Sequence, residues 1–224
     1  MTKYRKRNNM DVEIWSDVMC PFCYIGKRKF EEALSQFPHK DQINVVWRSF
    51  QLNPAMKTDP SKNINEYLAE AKGWSIDQAR QMNDRVTAMA QEVGLSYDFD
   101  RAIVANSFDA HRLIQLAKTK GLGDAAEERL FRAYFTEGQN TADHATLLAL
   151  GTDIGLDPTD VQAVLASNAF ADDVNRDIYE AQQVGARGVP FFVLNRRYAV
   201  SGAQAPETFL GALNTAWAET VPAN

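Results

Sequence analysis

The sequence predicts an α/β fold with a large all-helical insertion. Three observations carry this reading. The first fifty or so residues read strand, helix, strand. From 54 to 170 the chain carries helix starts and stops but no convincing strand. After about residue 170 two strands and a final helix return. Neither end is long enough to bury a core alone. The simplest packing is therefore one sheet domain made from 11–53 and 171–224, interrupted by a helical domain at 54–170.

Taken in order, Val12 to Val18 is a strand, with Val12, Ile14, Trp15 and Val18 as β-formers. A helix follows to about Phe37, with Ile25, Phe30, Ala33, Leu34 and Phe37 near helical spacing and Pro38 as its stop. Ile43 to Leu52 is the second strand, which makes the opening a βαβ unit with a parallel pair. The insertion reads as five or six helices, four of which start at capping boxes: Asn63 with Glu66, Ser75 with Gln78, Asn106 with Asp109, and Asp124 with Glu127. Asp157 before Pro158 is a further N-cap. Gly73, Gly94, Gly121 and Gly155 stand where helices stop. A helix near Asp172 to Val184 then leads to strands at Pro190 to Leu194 and Tyr198 to Ser201, joined by Asn195-Arg196. The last helix runs from Pro206 to about Ala218.

Composition excludes several classes. With 224 residues, 45% hydrophobic and 24% charged, the proportions are globular. Two cysteines cannot staple a disulfide scaffold. The apolar runs are far too short for a membrane helix. A net charge of −5 without a basic stripe argues against nucleic acid as a partner. The basic residues Lys3, Arg5, Lys6 and Arg7 are not followed by an apolar run, so they do not read as an export signal. They read as a loose lead-in, with Met10 as an alternative start and an anion-binding arm as the sharper alternative. A cytoplasmic location follows as an expectation, and there a structural disulfide is disfavoured.

Two cysteines close together in that setting need a chemical reason. Cys20 and Cys23 form C-x-x-C where a strand ends and a helix begins. The partial positive charge of a helix N-terminus stabilises a thiolate on the first cysteine. Pro21 is tolerated in the first turn, where no helical N–H is required. Cys23, one turn on, can close on Cys20, so that Cys20 attacks and Cys23 resolves the mixed disulfide. A zinc site would need a second pair or partner histidines, and His39, His111 and His144 share no ligand spacing, so no metal is expected. Two inert core cysteines are the other reading, against which the strand-to-helix position argues.

A second motif is Gly188-Val189-Pro190-Phe191-Phe192, a proline opening a buried strand. Together with Ser16-Asp17-Val18-Met19-Cys20-Pro21-Phe22-Cys23-Tyr24-Ile25-Gly26, Arg48 to Pro54 and Ser201-Gly202-Ala203-Gln204, it makes the chain resemble the DsbA family of oxidoreductases, in its FrnE-like branch, over nearly all of its length from Val12. The resemblance implies a thioredoxin-like fold and thiol–disulfide exchange. It implies Cys20 as nucleophile, Cys23 as resolving thiol, and Pro190 as a cis-proline facing the pair. It further implies that Val189 offers its backbone to an extended substrate, and that Pro21 and Phe22 tune the reduction potential. Phe22 departs from the histidine of strongly oxidising members, so the reduced form should be less favoured here.

No cofactor is expected beyond the redox pair, with glutathione as an admissible co-substrate. The implied partner is a disulfide-containing protein or a small thiol or disulfide, and the chain itself is expected as a monomer or homodimer. Two rivals stand beside this reading. A kappa-class glutathione transferase or hydroxychromene-carboxylate isomerase would carry serine at position 20. A non-redox chaperone would use the same cleft without exchange. Of the remaining polar candidates, Asp17 reads as a solvated loop carboxylate, with proton acceptor as the sharper role. Glu13 reads equally as a buried acid or an exposed edge residue. His111 reads as a hydrogen-bonded core or surface histidine, and Arg48 as half of a surface ion pair. The four tryptophans read as core, as do Phe99, Phe108, Phe131 and Phe135, with the lining of a cleft over the active site as the alternative for these four.

Overall fold

The computed structural model describes residues 9–220; the basic lead-in of the sequence reading lies outside them. The central sheet has four strands in the order β2-β1-β5-β6. Strand β1 (Met10–Ser16) pairs in parallel with β2 (Ile43–Ser49) and antiparallel with β5 (Phe191–Leu194), which in turn pairs antiparallel with β6 (Tyr198–Ser201). The two ends of the chain thus meet in the middle of one sheet, at pairs such as Trp15 with Phe191 and Val12 with Leu194.

The period-two alternation of β1 splits its side chains between two cores. Met10, Val12 and Ile14 join Phe30 of helix α1 (Pro21–Gln36), Phe37 just past its end, and Phe209 and Leu213 of α9 (Pro206–Thr220). Trp15, on the other face, packs with Phe191, Val193 and Ala181 of helix α8 (Ala171–Gln183). Its indole N–H donates to the Asp177 carbonyl at 2.8 Å.

Between β2 and α8 the insertion supplies α2 (Ile64–Lys72), α3 (Ile76–Gln91), α4 (Phe108–Thr119), α5 (Gly123–Phe135), α6 (His144–Asp153) and α7 (Pro158–Leu165). Their apolar faces merge with Cys20, Cys23, Tyr24 and Ile25 into the largest core. The capping boxes at Asn63 and Ser75 are formed, as is the Asp157 cap ahead of Pro158. Two other boxes are not. Helix α4 starts after Ser107, and Asp109 instead ion-pairs with Arg112 and hydrogen-bonds His144 Nε2 at 3.0 Å. Helix α5 starts at Gly123, and Glu127 is buried in the interior.

Two further corrections concern strands. The insertion contains a small sheet, β3 (Asp59–Asn63) with β4 (Ile103–Val104). Pro60, Ser61 and Lys62 give β3 no β-forming pattern, and only pairing with a remote partner makes it a strand. The first strand ends at Ser16 rather than Val18, and the second at Ser49 rather than Leu52. There the chain turns away, because the Leu52 N–H donates to Asp17 Oδ2 at 2.7 Å.

Candidate active site

The site grows from the way β1 hands over to α1. After Ser16 the chain turns, with Cys20 N–H donating to the Asp17 carbonyl at 2.9 Å. Cys20 is the N-cap of α1, in extended conformation, with Pro21 as the first helical residue. No side chain caps this end, so the first-turn N–H groups beside Cys20 are left without a side-chain acceptor. Cys23 follows within the first turn, its N–H on the Cys20 carbonyl at 3.0 Å. Both cysteines are free thiols and both are buried.

The second wall comes from the far end of the chain. The Cys20 thiol donates to the Val189 carbonyl at 3.4 Å. The Val189–Pro190 peptide bond is cis, and Pro190 is buried against Gly26 of α1. The Val189 carbonyl is thus engaged by Cys20 while the pair is reduced.

The third wall is the insertion. Tyr97 Oη–H donates to the Pro21 carbonyl at 2.8 Å and tethers the motif to the helical block. Beside the motif opens a cavity of about 480 Å³ lined by Met19, Pro21, Phe22, Leu52, Tyr67 and Tyr134, among others. Phe22 and Leu52 are exposed at its rim, an arrangement suited to an apolar group next to a reacting sulfur.

The electrostatics separate the two thiols. Burial pushes the Cys23 thiol well above its ordinary range, and the adjacent Cys20 thiol adds to that; hydrogen bonds from the Asp17 backbone and the Ser16 side chain pull back less. Cys23 is therefore a neutral thiol at physiological pH.

Of the polar candidates, Asp17 and Arg48 differ from their sequence readings, while Glu13 and His111 fall on the buried side of theirs. Asp17 is fully buried rather than solvated, and accepts from the Leu52 and Met19 N–H groups. His111 is fully buried, and its Nε2 lies 3.4 Å from Asp17 Oδ1. The two are not aligned for a hydrogen bond, and neither ring nitrogen has a partner. This contact is electrostatic: burial pushes the imidazole down in pKa, but Asp17 and Glu127 outweigh it and the net shift is upward. Glu13 is buried. Arg48 is no ordinary surface pair, since it bridges Glu13 Oε1 at 2.6 Å and the buried Asp177 Oδ1 at 2.8 Å. Asp177 also accepts from Ser49 N–H and Gln115, so this network clamps α4 and α8 to the sheet. Trp15 and Trp47 are buried, while Trp74 and Trp217 are half-buried. Phe131 and Phe135 are core; Phe99 also lines the cavity and Phe108 is half-buried.

Sequence reading missed Ser16, Tyr97 and Glu127. For Glu127 a signal existed: it shares one helical face with Leu130, Phe131 and Tyr134, where a carboxylate is out of place. Among the described residues no three His, Cys, Asp or Glu side chains converge as a metal site, and no helix is long and apolar enough to cross a membrane.

Comparison with known proteins adds three relatives and one family. Residues 11–214 match the family described as DSBA-like thioredoxin domain. The crystal structure of a probable DsbA oxidoreductase from Streptomyces coelicolor superposes with a TM-score of 0.90 at 43% identity, covering 96% of this chain and 93% of that one. The cytosolic disulfide reductase DsbM from Pseudomonas aeruginosa, solved with GSH, superposes with a TM-score of 0.65 at 19% identity over 93% of this chain and 99% of that one, a likeness of fold. An uncharacterized protein of Bacillus subtilis, YwbO, is 27% identical over 205 residues, 91% of this chain and 95% of its own length.

Proposed function

The chain belongs to the DSBA-like thioredoxin domain family, and from that premise we propose that it is a thiol–disulfide oxidoreductase working through Cys20 and Cys23. Cys20 attacks a substrate disulfide, and Cys23 then displaces the substrate thiol and leaves a Cys20–Cys23 disulfide. The observation that carries this reading is the placement of Cys20. It holds the N-cap position of a helix that no side chain caps, contacts the Val189 carbonyl, and lies beside a Cys23 thiol held neutral by burial. Within the family the reading extends to a FrnE-like enzyme of the cytoplasm. Its resting state is the dithiol, it acts as reductase or isomerase, and glutathione serves as the co-substrate that restores it.

Phe22 supports a less oxidising pair, because an aromatic ring brings neither charge nor a strong donor to the thiolate. The apolar cavity supports a substrate that places a hydrophobic group beside its disulfide. The presence of both cysteines weighs against a serine-based transferase or isomerase.

The test is the equilibrium of the pair in glutathione buffers, combined with turnover of a disulfide substrate before and after alkylation. A reversible two-electron equilibrium, and activity abolished by alkylation, are expected. Isomerase or client-binding activity that survives alkylation would overturn the reading.

A further inference from the structure

Two phenol groups on the wall of the cavity beside the cysteine motif have donor capacity that the fold does not use. Tyr134, in α5, lines that cavity and is only 1% exposed, so it belongs to the inner wall. Its Oη is buried and has no hydrogen-bond partner among the described residues. Buried polar atoms are paired as a rule, so an orphan on a cavity wall points to an occupant. Tyr67, in α2, lines the same cavity and is half-buried. Its oxygen accepts from Asn53 Nδ2 at 2.8 Å, while Asn53 Oδ1 accepts from the Ala55 N–H at 3.1 Å. The second bond fixes which way the Asn53 amide faces, so Tyr67 is the acceptor there and its own proton stays free. Most of the remaining wall is apolar, with Pro21, Phe22, Met56, Ile64, Leu68 and Phe99. Lys72 is the one charged side chain among the described residues that line it, and it is exposed.

We infer that this cavity binds a small, uncharged, apolar molecule that carries a carbonyl oxygen, and that Tyr134 selects it by donating its O–H to that oxygen. The inference rests on the thiol–disulfide reading above in one respect: the molecule bound here is then the apolar part of a small thiol or disulfide whose sulfur meets Cys20.

Each part of that description has its own cause. The open side-chain functions of the inner wall are donors, so the ligand must bring an acceptor. Burial pushes the Tyr134 hydroxyl up in pKa, and the negative charge of Asp17 adds to that, so the group stays a phenol and a donor at physiological pH. The same Asp17 charge opposes an anion at this position, and the exposed Lys72 ammonium stands in water rather than on the inner wall. A carboxylate taken in here would be buried without a cation, which is costly, whereas a ketone, ester or amide oxygen accepts without that penalty. The volume, about 480 Å³, is that of a small-molecule site. An extended peptide paired to the Val189 backbone fits less well. Val189 is not among the described residues that line the cavity, so such a peptide presents only side chains to it, and an apolar side chain brings no acceptor.

The experiment is equilibrium dialysis of the full-length dithiol protein at neutral pH against three probes of similar shape. Butyrophenone is an uncharged ketone, butylbenzene lacks the oxygen, and 4-phenylbutyrate carries a charge. The wild-type protein should bind the ketone in preference to both others. Tyr134→Phe should weaken ketone binding about tenfold, the worth of one good neutral hydrogen bond, and leave butylbenzene binding unchanged. A hydroxyl with a merely structural role would not separate the two probes. The variant should also melt no lower than wild type, since the atom it loses has no partner in the fold. Equal affinity of the wild type for ketone and hydrocarbon would mean that solvent satisfies Tyr134, and would overturn the site. So would a preference that survives Tyr134→Phe, tighter binding of the carboxylate, or binding of none of the three. No redox step enters this measurement, so each of those results leaves the exchange reading standing. Selective ketone binding by a protein whose cysteine pair does not equilibrate with glutathione would keep the site and overturn its link to Cys20.

Discussion

Gly26 and Pro190 are in such close contact that a Cβ added to Gly26 would stand 2.9 Å from Pro190 Cγ. The two residues lie 164 positions apart, one on the helix that carries the cysteines and the other beside the carbonyl that receives the Cys20 thiol. The absence of a side chain at position 26 sets how near the two halves of the site come.

Gly26→Ala should therefore destabilise the protein, by about 1–3 kcal/mol, since the rigid proline ring cannot swing aside as a flexible side chain would. Displacing Pro190 also moves Val189, so the rate of Cys20 alkylation should change. Gly211→Ala in α9 is the control: nothing lies within 4 Å of its added Cβ, and the gain in helix propensity should stabilise by about 0.5–1 kcal/mol. Urea unfolding reads both. Equal stability of the two variants would refute the contact.

Cys23→Ser should accumulate a mixed disulfide on Cys20, and Cys20→Ser should not. Cys23 is held as a neutral thiol by burial and by its neighbour, so it is a poor first nucleophile. Intact mass after exposure to oxidised glutathione checks this, and adducts of equal yield on both variants would remove the division of roles.

Phe22→His should make the pair more oxidising. Phe22 sits in the first turn of α1 and is 39% exposed, so a histidine there fits without repacking. A partly charged donor near the Cys20 thiolate stabilises the reduced form, and about 30 mV corresponds to roughly 1.4 kcal/mol for this couple. An unchanged or lower potential would mean that the helix N-terminus alone sets the poise.

The features legible in the sequence were those with local causes. The strand–helix–strand opening, the hairpin at Asn195-Arg196, the boxes at Asn63 and Ser75 and the stop at Gly73 all depend on residues within a few positions of each other. What escaped was set by distant partners. Asp17 looked solvated because Leu52 and His111, which enclose it, arrive from β2's exit and from α4. Strand β3 escaped because Pro60, Ser61 and Lys62 carry no strand pattern and its partner β4 is only two residues long. Glu127 was read as a capping partner because its spacing from Asp124 was local, while its burial depends on β1 and α4.

Stability should pass through a maximum near pH 5. Burial raises the Glu127 carboxyl from 4.5 to about 7, so its contribution is complete below the unfolded value and is lost as pH rises toward 7. For His111, burial acts downward, but Asp17 and Glu127 outweigh it and the pKa rises above its ordinary 6.5. That contribution is complete below 6.5 and lost as pH climbs through the folded value, so both groups favour the acid side. Glu128 works in the opposite sense: burial acts upward, but its hydrogen bonds from Arg28 and Tyr24 and the charge of Lys27 win and hold it at about 2. Its stabilisation is present above the unfolded value and lost as pH falls from about 4.5 toward 2, which closes the maximum from below. Glu127→Gln isolates the first effect. The shift corresponds to a loss on the order of 3 kcal/mol in the wild type between pH 5 and pH 8, and the neutral amide does not share it. Near pH 5 the two proteins should melt together, since the protonated acid and the amide are nearly isosteric. By pH 8 the variant should melt several degrees higher, at about 2–4 °C per kcal/mol for a chain of this size. A melting difference that stays constant from pH 5 to pH 8 would show that Glu127 is already ionised in the fold at pH 5, and would remove the electrostatic basis for this maximum.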